Sequence, residues 1–178
     1  MKKKALVITL ASMIAFGVQA GGEQSHYVYG GYSSFSGNTS DYLSGNGYQA
    51  IYGKDFSDYF GLEVSGSYHD FDSSNYIASI SGDNYVANIS PTVFINLTPN
   101  VRVFSKFGYA YDKSSMKICN KIGTPKKCIN EDKSDSGLTY GLGIEGHVSS
   151  GWATRISYDK YTTKNHWDSI NLLVGYRF

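Results

Sequence analysis

The chain has 178 residues and carries 16 Lys+Arg against 15 Asp+Glu, a formal net charge of +1. That balance gives no global case for nucleic-acid binding, and the length suits one domain. Tyrosine (16) and glycine (20) are abundant, proline is scarce (3), and no run after residue 20 is apolar for long enough to make a spanning helix.

In chain order, Lys2, Lys3 and Lys4 precede a mostly apolar run from Ala5 to Val18, which leads into Val18-Gln19-Ala20. A positive stub, a short apolar core and a small-residue end predict a cleaved secretory signal over 1–20, cut after Ala20. Removing it takes away three lysines and leaves 13 basic against 15 acidic residues, about −2, on a barrel domain expected over 21–178.

Strands follow. The first two, near 26–34 and 46–54, are marked by Tyr27, Tyr29, Tyr32, Tyr48 and Tyr52, and their parity is ambiguous. From residue 60 the period of two is clean. Phe60, Leu62, Val64 and Tyr68 alternate with Gly61, Glu63, Ser65 and Ser67. Tyr85, Ile89, Val93 and Ile95 oppose Asn84, Asn88 and Thr92, and Val101, Val103, Phe107 and Tyr109 oppose Arg102 and Lys106. Leu138, Tyr140, Leu142 and Ile144 oppose Thr139, Gly141 and Glu145, while Trp152, Ile156 and Tyr158 oppose Arg155 and Asp159. In the closing segment NLLVGYRF, Leu172, Val174, Tyr176 and Phe178 oppose Asn171, Leu173, Gly175 and Arg177. Such alternation is the mark of strands with one apolar and one polar face.

The eight strands are expected to run roughly 9–12 residues, close to what a tilted strand needs to cross a bilayer. Long connections near 35–45, 70–83 and 113–136, with a moderate one at 162–168, alternate with short ones near 55–58, 96–100 and 148–151. This rhythm, with aromatic residues on the apolar face, predicts an all-β fold: an eight-stranded antiparallel up-and-down transmembrane β-barrel, its termini periplasmic. A soluble sandwich shares the alternation but has no reason for the loop rhythm. Pro91 conflicts with a central strand, since it removes a ladder donor, and predicts a local bulge or a shorter strand.

The signal, the eight alternating strands and the end GYRF resemble the small outer-membrane barrels of Gram-negative bacteria, the OmpA/OmpX/Ail-like group. The resemblance implies outer-membrane localisation, a monomer, and contact with outer-membrane lipid and lipopolysaccharide. It also implies that Gly175, Tyr176 and Phe178 act as the signal for the barrel assembly machinery. Function in this group is mixed. The implied reading is surface interaction, adhesion or envelope integrity through the outer loops, with host or surface ligands as partners. Tyr42, Tyr76 and Ile77 supply aromatic and apolar tips to those loops.

An eight-stranded barrel is just wide enough for its side chains to fill it. Charges within it must be paired, so Glu63, Arg102, Lys106, Glu145, Arg155, Asp159 and Arg177 are expected to form a plugging network. The alternative for these residues is a narrow pore. Cys119 and Cys128, nine positions apart in an exported chain, are expected to form a disulfide that holds NKIGTPKK in one shape. Lys117, Lys121, Lys126 and Lys127 make that loop a candidate contact for phosphate or sulfate groups, or a solvated loop packed on lipopolysaccharide. The competing enzyme reading is lipid A modification. Deacylases of that kind carry a His-x-Ser pair late in the barrel, whereas the matching segment ISYDKYTTKN has no histidine. Ser33 and Ser34 have no visible base. No catalytic, metal or cofactor motif is expected.

Overall fold

The computed structural model describes residues 25–37, 44–74, 78–120, 128–163 and 166–178. The strands are β1 (His26–Gly37), β2 (Ser44–Asp55), β3 (Phe60–Ser74), β4 (Ala78–Thr98), β5 (Val101–Asn120), β6 (Cys128–Ser149), β7 (Trp152–Tyr161) and β8 (Trp167–Arg177). Each pairs antiparallel with its neighbour in sequence, and β1 pairs β8, so the sheet closes as a barrel. Closure leaves no unpaired edge in the hydrocarbon layer, where an unpaired backbone group has no water to bind. Ala20, Tyr42, Tyr76, Ile77, Lys121, Lys126 and Lys127 lie outside the described residues.

The two faces separate as the alternation dictates. Val64, Ile89, Val93, Phe107, Leu142, Ile156, Leu172 and Val174 are exposed on the outside, as lipid-facing side chains must be. Tyr32, Tyr48, Tyr68 and Tyr85 stand directly opposite one another on successive strands, an aromatic row toward the long-loop end. Near the short turns, Trp152 packs edge-on against Tyr176 at 5.6 Å, and the rings of His26 and Phe178 stack at 6.0 Å. Two aromatic bands flanking an aliphatic one are the girdles of a membrane barrel.

Inside, β1 and β2 resolve their parity unexpectedly. Tyr27, Tyr29, Phe35 and Ile51 point into the lumen, whereas Tyr32, Tyr48 and Tyr52 point out. Phe94 and Phe104 also face inward. The interior is therefore layered. Toward the short turns, Tyr27, Tyr29, Ile51, Phe94, Phe104, Ala153 and Leu173 pack together; toward the long loops, Phe35, Phe71, Val86, Ala110, Tyr161 and Trp167 do.

Three expectations change. Strands β4, β5 and β6 have 21, 20 and 22 residues, about twice what crossing needs. Most of 70–83 and 113–136 is therefore strand, because the alternation of Ser, Asp and Lys beyond the membrane has no apolar face by which to read it. Pro91 carries no bulge. Its ring points outward, and pairing of β4 with β5 lapses between Ile89↔Tyr109 and Thr92↔Lys106, then resumes in the same register. Proline lacks the N–H, so the ladder skips rather than shifts. Register shifts occur instead beside two short turns, between Asn96 and Thr98 and between His147 and Ser149.

Candidate functional site

Two regions carry concentrated chemistry: the lumen and the β5–β6 hairpin. In the lumen, Glu145 of β6 is the hub. Its carboxylate accepts from Arg102 Nε (2.9 Å), Arg155 Nη2 (2.7 Å), Arg177 Nη1 (3.0 Å) and His147 Nε2 (2.9 Å). Arg155 reaches across to Glu63 at 2.6 Å, and Tyr27 donates its hydroxyl to the same carboxylate at 2.8 Å. Asp55 at the end of β2 joins Arg102 at 2.8 Å and also meets Arg177. Further along the lumen, Lys106 pairs with Asp159 at 2.9 Å, and the Asn171 amide donates to that carboxylate at 2.9 Å.

Charge in this assembly balances: Asp55, Glu63, Glu145 and Asp159 face Arg102, Lys106, Arg155 and Arg177. All eight side chains are 15 % exposed or less. The guanidinium planes also lie over rings, Arg102 above Phe94 at 3.7 Å and Arg155 above Phe104 at 4.3 Å. Such stacking covers the faces of a guanidinium while its edges hydrogen-bond. Toward the long loops, Ser33 links Asn171 to His69, and Trp167 Nε1 donates to Asp112 at 3.1 Å. The cross-section is filled with side chains on both tiers.

Of the lumen charges named from the sequence, Glu63, Arg102, Glu145, Arg155 and Arg177 join one cluster, and Lys106 and Asp159 form a pair beside it. Sequence reasoning missed Asp55, Tyr27 and His147 as members. The signal for Asp55 was its place four residues after Ile51, on the same parity, but the aromatic residues on both faces of β1 and β2 concealed that parity.

The hairpin is built differently. Cys119 and Cys128 stand directly opposite each other at its end and are disulfide-bonded. The bond ties the ends of β5 and β6 across Asn120–Lys127. Beyond Thr139, where β7 ends against it, β6 continues to the hairpin tip, with β3, β4 and β5 paired beside it. The outward side of this wall holds a dish of about 660 Å³ lined by Asp70, Asp72, Asp83, Asp132 and Lys117 among others. Lys117 thus sits among carboxylates, whereas Lys121, Lys126 and Lys127 belong to the disulfide-closed segment. No group of His, Cys, Asp and Glu suited to a metal ion occurs among the described residues.

A closed barrel with an apolar exterior, aromatic bands and an interior packed with paired charges and rings defines a small integral outer-membrane protein. Over residues 6–178 the chain matches the outer membrane protein beta-barrel domain, and it belongs to that family. No curated protein sequence matches it. Among solved structures it is similar to Ail, the attachment invasion locus protein of Yersinia pestis, in complex with the heparin analogue sucrose octasulfate. Identity is 17%, the TM-score is 0.65, and the match covers 88% of this chain and 100% of that one. It is also similar to Neisserial surface protein A (13% identity, TM-score 0.60, 89% and 98% covered). The outer membrane protein OprG of Pseudomonas aeruginosa is similar as well (11% identity, TM-score 0.62, 86% and 95% covered). At these identities the likeness speaks for the fold, and with the family it places the chain in the outer membrane of a Gram-negative bacterium.

Proposed function

We propose that this protein is a non-enzymatic surface-contact protein: the barrel is its anchor, and the disulfide-closed β5–β6 hairpin binds sulfated or phosphorylated polyanions outside the cell. The observation that carries this reading is the placement of Lys121, Lys126 and Lys127 in one short segment between Cys119 and Cys128, at the end of strands far longer than a bilayer requires. Lysine ammonium groups attract sulfate and phosphate as point charges. A tied loop keeps them together without ordering a long chain on binding. Support comes also from Ail, solved with a sulfated heparin analogue. Adhesion to sulfated host surfaces and contact with lipopolysaccharide phosphates both follow from this chemistry.

Signal removal after Ala20, a monomeric barrel and delivery by the barrel assembly machinery belong to the same proposal. A pore needs an open lumen, and the paired side chains around Glu145 do not favour one; a lipid A enzyme needs a base beside a nucleophile that lipid can reach, and although Ser33, for which the sequence showed no base, lies 2.8 Å from His69 Nε2, both side chains are buried in the lumen. Titrating sucrose octasulfate into the folded protein in nanodiscs tests the reading. The combined K121A, K126A and K127A variant should bind at least about tenfold more weakly, with a shallower salt dependence. Unchanged affinity in that variant would sink the proposal. Lys117→Ala should change affinity less than the combined variant does, because neighbouring carboxylates already offset its charge.

A further inference from the structure

Strand β6 overhangs its neighbour β7. Its pairing with β7 ends at Thr139↔Tyr161, whereas its pairing with β5 runs on to Cys119↔Cys128. In bacterial barrels the short-turn end faces the periplasm, so this overhang stands outside the cell. Two observations fix which backbone groups its edge carries. In an antiparallel ladder, opposed residues only about 4.5 Å apart at Cα are the ones that do not hydrogen-bond to each other. Cys119 and Cys128 are 4.1 Å apart, so Cys128 turns its N–H and carbonyl away from β5. At the other end, the Leu138 carbonyl accepts from Thr162 N–H at 2.8 Å, on the β7 side. The period of two then puts the N–H and C=O of Asn130, Asp132, Ser134 and Ser136 on that same side. All four residues are exposed, and among the described residues no strand pairs with this edge.

A row of open N–H and C=O groups is a template for one more strand. Such a strand lies about 4.8 Å away and sends alternate side chains to the two faces of the sheet. The side chains beside the edge decide which strand fits. Asp132 stands in one cross-strand row with Ser115, Asp83 and Asp70, and Asn130 in the next with Lys117, Ser81 and Asp72; these rows line the outward dish. Glu131, Lys133 and Asp135 alternate with them on the opposite face. With Lys113, which lies opposite Ser134, six carboxylates stand against three lysines around the overhang. One of those lysines, Lys133, is already held by Glu131 at 3.2 Å. A second copy of this edge brings the same excess of acid and is repelled, whereas opposite charges across neighbouring strands attract. We infer that the overhanging edge of β6 binds an extended cationic peptide as an added strand. Its main chain bonds to Asp132, Ser134 and Ser136, and its lysine or arginine side chains meet the carboxylates on either face.

The edge shares no residue with Lys121, Lys126 and Lys127, so this inference and the polyanion reading fail independently. The probe is a capped peptide alternating lysine with threonine, titrated into the full protein in nanodiscs and followed by NMR shifts and amide hydrogen exchange. Binding should saturate and slow exchange at Asp132, Ser134 and Ser136, whose amides face the open edge. Exchange at Lys133 and Asp135, whose amides face β5, should not change. The same peptide methylated at its backbone nitrogens keeps its charge and loses its donors. It should bind at least about tenfold more weakly, as should a version with glutamate in place of lysine. Ser134→Pro removes a donor from the open edge and leaves the β5 ladder intact. This variant should also lose at least about tenfold in affinity, with its folding checked by heat-modifiable gel migration. The inference is overturned by an absence of saturable binding, by a methylated or glutamate peptide that binds as tightly, or by a folded Ser134→Pro variant that binds like the parent. Protection of Asp132, Ser134 and Ser136 that grows with protein concentration, without peptide, would overturn it too, by assigning the edge to a second copy.

Discussion

Glu145 shows how one residue organises the interior. Arg102, Arg155, Arg177 and His147 converge on its carboxylate, and without it Asp55 and Glu63 alone are left to face the three guanidinium groups. Removing one partner of a buried ion pair costs more than the pair is worth, because the other charge is stranded. Glu145→Gln should therefore lower the unfolding free energy by about 3–5 kcal/mol in urea titrations of barrel refolded into lipid vesicles. Lys106 and Asp159 form a simpler pair. Each single change, Lys106→Met or Asp159→Asn, should destabilise on its own, and the double variant should cost less than the sum of the two. Strict additivity in that cycle would mean that the pair at 2.9 Å is not coupled.

At the scale of the element, what the sequence shows depends on where the strand stands. In the bilayer the outward face must be apolar, so Val64, Ile89, Phe107, Leu142 and Leu172 announce their strands. In β5 beyond Asp112, and in β6 before Leu138, polar residues occupy both parities, and Met116 packs back onto the cluster of Phe35, Phe71 and Trp167. Nothing in Lys113, Ser114, Ser115 or Lys117 then distinguishes strand from loop, although pairing with β4 and β6 continues to Asn120 and Cys119 respectively. The lumen charges were legible because a charged residue opposite an aliphatic one has only one place to go. Asp55 was not, because Tyr27 and Tyr29 put aromatic rings on the inward face as platforms for Arg155. The hairpin invites its own test. Closing a loop of this size removes roughly 2–3 kcal/mol of chain freedom in the entropic account. Replacing both cysteines by serine should leave the urea transition of the barrel in place and raise the rate of tryptic cleavage at Lys121, Lys126 and Lys127 by at least about tenfold. Equal cleavage rates would show that strand pairing alone holds the tip.

The molecule as a whole is a closed ring of hydrogen bonds, and its last seam joins β1 to β8. Phe178 lies at the short-turn end of that seam, where its N–H donates to the His26 carbonyl at 2.8 Å and its carbonyl accepts from His26 N–H at 2.9 Å. Those bonds use the backbone alone, and the ring is 42 % exposed on the outer surface. Phe178→Ala keeps the seam and removes a side chain that contributes little packing inside the protein. Stability of the folded barrel in vesicles should fall by no more than about 1 kcal/mol, the cost of one partly exposed apolar side chain. Delivery to the outer membrane in cells is a different matter if the assembly machinery reads Phe178 with Tyr176 as an address, for then the exposed ring is the part that is recognised. Quantifying folded protein in outer-membrane fractions beside urea midpoints of the purified variant separates the two roles. A several-fold loss in cells with a nearly unchanged midpoint is the expected result; matched losses in both would reduce Phe178 to a girdle aromatic.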